Sequence, residues 1–377
     1  MKLLSISVPN GFRFLKKGFT INFLTKTRVP KDQMQNDLFE LEKGLYYPYE
    51  TIFLGKNSSG KSSAIDLLAS FFGFLSLGRF RLLPTDFNGL FTIDAVFYEK
   101  GIIYRYQGSF ENDAGFAKEY PTIKEESLSK TTWKAHYKKD LSNISFSKDP
   151  SFVPNVGGDT SNIAKLFVEK EFTFVLDWLS FSNSFGLVLE NIELYYGRQT
   201  LDDLVRLFDD SVEHIQSYYE NDKMIGFKFK RKDTPPIIVD PSTLNTILSK
   251  GTTRGILLFG LSLITFRRGG QILVDEIERN FNRNLIENLM LLFNDPAINK
   301  TQATIIYSTH YAELLDHAER CDNINVLHRN GTEITIKNLE EYNCRSDLVK
   351  SNQFNQNVFD TFVNYEQLMR LRRDVAK

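Results

Sequence analysis

The residues able to do chemistry fall in a few short runs, and the first is the most specific. Gly55-Lys56-Asn57-Ser58-Ser59-Gly60-Lys61-Ser62 satisfies G-x-x-x-x-G-K-[ST] in full, with an apolar run before it and a helical pattern after it. Wrapping a polyphosphate takes backbone N–H groups brought close to the anion through dihedrals that glycine tolerates. A helix starting at once behind the loop points its unpaired N–H groups and positive dipole end at the same oxygens. Lys61 is expected on the β and γ oxygens of ATP and the Ser62 hydroxyl on Mg²⁺, with Ser63 beside them. A chance Gly/Ser/Lys-rich loop is the bland alternative, and both flanking elements speak against it.

Gln271-Ile272-Leu273-Val274-Asp275-Glu276 is an apolar strand that ends in two carboxylates. Side chains alternate along a strand, so the two acids point differently: Asp275 toward a cation, Glu276 toward the attacking water as general base. Upstream, Leu248-Ser249-Lys250-Gly251-Thr252-Thr253-Arg254-Gly255 pairs a small hydroxyl residue with a glycine and a helix start, a second anion-binding N-terminus. Alone, that run reads equally well as a helix capped by Ser249 or Thr252. Downstream, a further apolar strand ends in Ser308-Thr309-His310. Of five histidines His310 alone sits in such a setting, where it can report a terminal phosphate; a satisfied strand-end histidine is the plainer reading.

The order of these runs resembles that of ABC ATPases, and their wording is similar to the OLD-like (overcoming lysogenisation defect) and abortive-infection branch. That branch carries an NFRSF-like segment, S-x-GT-x-R, DE-I-[ED]-x-x-L-H-P and a TTH-type motif. Here they read Asn10-Gly11-Phe12-Arg13-Phe14, Ser249-Lys250-Gly251-Thr252-Thr253-Arg254, Asp275-Glu276-Ile277-Glu278-Arg279-Asn280-Phe281-Asn282 and Ser308-Thr309-His310. The resemblance covers most of the chain outside 111–240. It implies a Walker A loop at Gly55–Ser63, a Walker B pair at Asp275 and Glu276, a signature turn at Ser249, Gly251 and Thr252, and a catalytic group of Lys61, Glu276 and His310. Two departures stand out. The D-loop stretch Arg279-Asn280-Phe281-Asn282-Arg283 replaces SSLHP, and no convincing Q-loop glutamine appears: Gln107 falls in an expected strand, and the Leu83–Asn88 turn is a candidate by position only.

The elements that must position these runs read as α/β: a mainly parallel sheet, an antiparallel β subdomain and a helical insertion. Residues 1–50 are β-rich, 31–44 a polar surface loop, and Glu50–Leu54 a short buried strand. Residues 63–77 are apolar nearly all round, as in a helix enclosed by a larger core. A hairpin spans 91–110 around Glu99-Lys100-Gly101. From 111 to 160 the chain is Ser/Lys/Asn-rich without a clean period, an insertion or partly mobile loop region. Residues 161–219 read as helical with a break near Tyr196-Gly197, and from 237 onward strands alternate with helices, the signature of parallel βαβ units. The divisions that follow are 1–110 and 241–345 for two halves of an ATPase lobe, 111–240 for a variable, largely helical insertion, and 346–377 for a helical tail ending in a cationic stretch.

Bulk composition bounds the partners. A net charge of -1 supplies no global field toward nucleic acid or anionic lipid. Two cysteines, Cys321 and Cys344, have no CxxC spacing and fit a reducing compartment. No apolar run reaches the about 20 residues a bilayer span needs, and the start lacks a signal-peptide core, so a cytoplasmic protein with no membrane partner is expected.

One chain holds one P-loop and one signature turn, so composite sites of the ABC kind require a homodimer. The resemblance adds a separate effector, a nuclease or toxin in anti-phage defence, because the 67 residues after His310 are too few for the family's Toprim nuclease. Seven lysines between Lys118 and Lys148, interleaved with Tyr120, Trp133, Tyr137 and Phe146, offer a nucleic-acid grip; an ordinary solvated face is the competing reading. Two alternatives stay open. An SMC- or RecF-type DNA-repair head would want heptads between P-loop and signature, absent from 111–240. A transporter's nucleotide-binding subunit would want a clear Q-loop.

Overall fold

The computed structural model describes residues 1–25, 29, 37–82, 89–112, 119–137, 141, 144–167, 173–176, 184–221, 223–279, 282–342, 349–359 and 365–375. Two six-stranded sheets organise them. The first is antiparallel, in the order β2 (Phe19–Asn22), β1 (Lys2–Val8), β6 (Gly89–Glu99), β7 (Ile102–Asn112), β8 (Thr122–Thr132) and β9 (Ser147–Lys148). The second runs β10 (Thr173–Leu176), β14 (Gln271–Val274), β15 (Thr304–Thr309), β5 (Glu50–Leu54), β16 (Ile324–Asn330) and β17 (Glu333–Asn338). Its first five strands are mutually parallel and only β17 returns antiparallel. A hairpin of β3 (Leu38–Glu42) and β4 (Leu45–Pro48) and a three-stranded sheet of β11 (Val212–Glu220), β12 (Lys223–Arg231) and β13 (Ile237–Val239) complete the strands.

The expected α/β class, with a mainly parallel sheet and an antiparallel β subdomain, is the fold observed. Helix α1 (Lys61–Leu77) explains its all-round apolar sequence, because it touches β10, β14 and β15 of one sheet and faces the other through its phenylalanines. Phe74 packs 5.0 Å from Tyr106 and 5.7 Å from Phe110, and Phe80 and Phe91 join the same cluster with Phe12. Burying three or four such rings supplies roughly 1.5–3 kcal/mol each, so α1, which begins directly after the glycine-bounded loop of residues 55–60, is clamped between two layers.

Helix α2 (Ile163–Leu166) is a single turn, and α3 (Phe185–Tyr196) and α4 (Arg198–Phe208) meet at Gly197, the expected break. Both pack on α6 (Lys250–Arg268), which follows the short α5 (Pro241–Ile247). Helix α7 (Arg283–Asn294) joins β14 to β15, and α8 (Lys350–Asn355) and α9 (Tyr365–Val375) close the chain.

Four local expectations are corrected. The helical reading of 161–219 stops at Phe208, because the Asp209 carboxylate accepts the Ser211 N–H and hydroxyl and turns the chain. From Val212 the apolar residues then recur every second or third position in a strand, with Ile215 N–H donating to the buried Asp202. Within 111–240, β8 and the β11–β12–β13 sheet make the described segment as much strand as helix; β8 hides its two-residue period because its outer face is Ser, Lys and Glu while Ile123 and Leu128 are buried. The polar loop 31–44 contains β3, whose Leu38 and Phe39 are buried, while 31–36 lie outside the described residues. Among the helices expected to alternate with strands from 237 onward is one at Ala312–His317, and there a 3₁₀ turn forms at Ala312–Leu315 instead.

Candidate functional site

The parallel sheet places the expected residues at one edge. β5 delivers Gly55, β14 delivers Asp275 and Glu276, and β15 delivers His310, all at the carboxyl ends of adjacent parallel strands, where open α/β sheets form their crevices. A cavity of about 410 Å³ opens there, lined by Asn57, Ser58, Gly60, Lys61, Ser62, Ser63, Glu276 and His310.

The loop has the close approaches its glycines imply. Gly60 holds φ 104°, and a Cβ on it would meet Ile334 of β17 at 2.5 Å. A Cβ on Gly55 would lie 2.7 Å from the Leu327 carbonyl of β16, backbone that cannot step aside. Between them Lys56 is partly exposed, Asn57 and Ser58 are exposed, and Ser59 is buried with its N–H bonded to the Lys56 carbonyl at 3.1 Å. Lys61 is buried, and its ammonium reaches the Gly55 carbonyl at 2.9 Å, the Lys56 carbonyl at 3.1 Å and His310 Nδ1 at 3.1 Å.

Burial lowers the Lys61 ammonium from its ordinary 10.5 to about 8, against the field of Asp275, Glu278 and Glu276, which favours the charged form. A triphosphate would bind the protonated amine, so the sign is fixed: the contribution of Lys61 to affinity is complete at lower pH and is lost as pH rises through about 8. Isothermal titration at constant ionic strength should show the dissociation constant for ATP rising by up to about tenfold per unit above that point; a profile flat to pH 10 would contradict it.

A hard cation fits the oxygen pair beside the lysine. Ser62 Oγ donates to Asp275 Oδ2 at 2.6 Å, and Ser308 Oγ donates to Asp275 Oδ1 at 2.5 Å. Among the described residues no group of three His, Cys, Asp or Glu side chains could hold a metal alone. The adjacent hydroxyl and carboxylate of Ser62 and Asp275 suit Mg²⁺, which takes one or two protein oxygens and completes its shell with water and phosphate.

Glu276 sits at a positive φ of 51°, its N–H held by Ser308 Oγ at 2.8 Å. That left-handed turn carries its carboxylate to 3.7 Å from His310 Nε2 and 3.9 Å from Arg279. Half-exposed, the carboxylate can reach a water at the cavity mouth.

The signature residues are not brought into this cavity. Ser249 caps α6, its Oγ accepting the Thr252 N–H at 3.0 Å, and Ser249 and Lys250 are exposed with Gly251 half-buried. Thr252 is buried, its hydroxyl engaged by Ser249 Oγ and the Phe208 carbonyl. Gln107 lies in β7 and donates to Asp94, on a different face, while Leu83–Asn88, Asn280 and Phe281 lie outside the described residues.

Two lining residues escaped the sequence reading. Phe14 is half exposed, with the Arg329 guanidinium 4.6 Å from its ring, and both border the phosphate-loop cavity. The turn that presents Phe14 is zipped to β17 by the Ile334 N–H to the Phe14 carbonyl at 2.7 Å, and pinned to α1 by Arg13 on Asp66 at 2.7 Å. An exposed ring backed by a guanidinium offers a stacking surface for a nucleobase. Its signal was the aromatic of the NFRSF-like segment, which gives no hint of where that segment docks.

Of the four described lysines of the lysine-rich stretch two are in ion pairs, Lys124 with Glu111 and Lys130 with Asp149 at 3.0 Å, while Lys134 and Lys148 are exposed. Trp133 donates to the Lys43 carbonyl and packs edge-on against Tyr137.

Residues 51–316 match the family described as "AAA domain, putative AbiEii toxin, Type IV TA system". Among solved structures the chain is similar to an SMC head domain from Thermotoga maritima, at 14% identity, 90% coverage of this chain, 99% of that one and a TM-score of 0.40. It is also similar to an ATP-binding cassette in a dimeric post-hydrolysis state bound to ADP and Pi, at 12% identity, 89% and 98% coverage and a TM-score of 0.35. No curated protein matches the chain. No helix among the described residues is long and apolar enough to cross a membrane.

Proposed function

The chain belongs to this AAA-domain family, and from that premise we propose that it is an ABC-type ATPase head, of the OLD-like kind, that binds Mg²⁺·ATP, closes as a homodimer around two composite sites and hydrolyses the nucleotide to reopen. The observation that supports this best is the convergence of Lys61, the Ser62–Asp275 pair, Glu276 and His310 on one cavity at the ends of adjacent strands.

In this reading the loop N–H groups and Lys61 hold the β and γ phosphates, and Ser62 with Asp275 would hold Mg²⁺, which when bound draws charge from the phosphate oxygens. Glu276 accepts a proton from the attacking water while the water oxygen bonds to the γ phosphorus. The bond from that phosphorus to the β–γ bridging oxygen breaks, giving ADP and inorganic phosphate. His310, 3.1 Å from Lys61 and 3.7 Å from Glu276, stands where a γ phosphate would meet it. Phe14 with Arg329 stacks the base.

The exposed Ser249 at the start of α6 supports a second copy completing each site, since it is free to meet another molecule and absent from its own chain's cavity. ATP then favours the closed dimer because only that state adds the contacts across the interface. The output is an effector on a separate chain, a toxin or nuclease of anti-phage defence, in keeping with the toxin–antitoxin wording of the family description.

Light scattering with and without Mg²⁺·ATP, read beside phosphate release, tests the reading. Expected are steady phosphate release and a doubling of mass with ATP. A chain that releases no phosphate and keeps its mass would sink it.

A further inference from the structure

Glu278 takes no part in the steps above, yet it is 8% exposed and sits among the site's charges. It belongs to the turn that carries Asp275 and Glu276, and that turn is fastened to the end of β15 by two bonds. Glu276 N–H donates to Ser308 Oγ at 2.8 Å, and Ile277 N–H to the Ser308 carbonyl at 3.0 Å. A third bond comes from a side chain: the His310 N–H donates to Glu278 Oε1 at 2.7 Å.

That third bond falls where the sheet runs out. The His310 N–H faces the β14 side, where pairing ends at Tyr307 opposite Val274, so it lies beyond the ladder. A partly buried amide without a partner is costly, and the chain would turn to find one. Glu278 supplies it in place. The next N–H, of Tyr311, is met by Thr309 Oγ1 at 3.0 Å, so the backbone on both sides of the imidazole is fixed. The other carboxylate oxygen, Oε2, is buried and has no hydrogen bond. A buried carboxylate with one oxygen idle is expensive to keep for one amide bond, and its negative field on the neighbouring Lys61 offsets part of that expense.

We propose that Glu278 is the positioning residue for His310: by accepting the His310 N–H it locks the end of β15 so that the imidazole faces Lys61 and Glu276. This rests on the ATPase reading of the site. It assigns a function to the third acid of Asp275-Glu276-Ile277-Glu278, and that function is to act through the histidine, with no contact to nucleotide or water.

Two isosteric replacements separate acceptor from bulk. Glu278→Gln keeps a carbonyl oxygen for the His310 N–H; Glu278→Met fills the same space without one. Expected for Met is a loss of about tenfold in kcat with KM within about threefold, and for Gln a kcat within about threefold of the starting protein. The double variant Glu278→Met/His310→Ala should turn over no more slowly than His310→Ala alone, because one residue acts through the other. In histidine-labelled protein without nucleotide, the His310 ring resonance should move in the Met variant and stay in the Gln variant.

Additive losses in the double variant, or a Gln variant as slow as Met, would overturn the proposal. If melting shows that Met does not fold, the Gln variant still decides it, since a displaced His310 resonance there refutes the acceptor role. Because the resonance needs no turnover, it separates this proposal from the ATPase reading, which instead fails if the unaltered chain releases no phosphate.

Discussion

Glu276→Gln is expected to lower ATP turnover by about 10²–10³-fold while leaving ATP bound. The reason lies in how the residue is held. Its backbone is fixed by Ser308 Oγ and a left-handed turn, so the substitution leaves the loop in place. Its carboxylate is half exposed and 3.7 Å or more from the nearest basic side chains, His310 and Arg279, so little of the fold depends on its charge. Glutamine keeps the shape and the hydrogen-bonding reach but cannot take a proton from water. Lys61, Ser62 and Asp275, which would hold the phosphates and the cation, stay untouched. Single-turnover phosphate release combined with retention of labelled ATP measures both halves of the prediction. If turnover stayed within about tenfold of the starting protein, the proton would be going elsewhere, and His310 would be the next group to examine.

The place of residues 55–62 in the candidate site was legible because that pattern is local: the glycines, the lysine and the serine lie within one turn of chain. The placement of the acid pair and of His310 was also legible, since each follows directly on an apolar strand whose neighbours in the sheet follow from βαβ order. What stayed hidden needed long-range pairing. Phe14 joins the cavity only because the Asn10–Phe14 turn is bonded to Ile334, more than three hundred residues along the chain. Glu278 reads as one more acid in a charged run until β15 is known to end at Thr309 beside it. The helix expected through Ile215 failed for a different reason: Asp209 and Ser211 close a side-chain turn in two residues, and a bulge between Val212 and His214 lets the strand bury Val212 and Ile215 at the three-residue spacing of a helix. β8 was lost in its composition, since a strand solvated on one face and rich in Lys, Glu and Ser looks like a loop.

Mixing two inactive variants tests whether each nucleotide is completed by a second chain. Lys61→Ala removes the phosphate ligand but leaves α6 and Ser249 intact. Ser249→Arg places a bulky cation at the exposed start of α6, and its own Lys61 cavity, which Ser249 does not line, is left alone. The Ser249 cap bond to the Thr252 N–H is lost, which costs about 1 kcal/mol of helix stability and is tolerable in a long buried helix. Each homodimer then has two broken sites and is expected to turn over ATP at least about a hundredfold more slowly than the unaltered chain. In an equal mixture half of the dimers pair one of each, and each such dimer has one whole site: the cavity of the Ser249→Arg chain faces the unaltered serine turn of the Lys61→Ala chain. Turnover should therefore recover to about a quarter of the starting activity if the two sites work independently. If the sites must fire together, recovery stays near zero although mixed dimers form, and a tagged pull-down of one variant by the other distinguishes that case from failure to pair. Activity in the unmixed Ser249→Arg protein would be the damaging result, because a site that works without its neighbour's serine is complete within one chain and the dimer has no part in it.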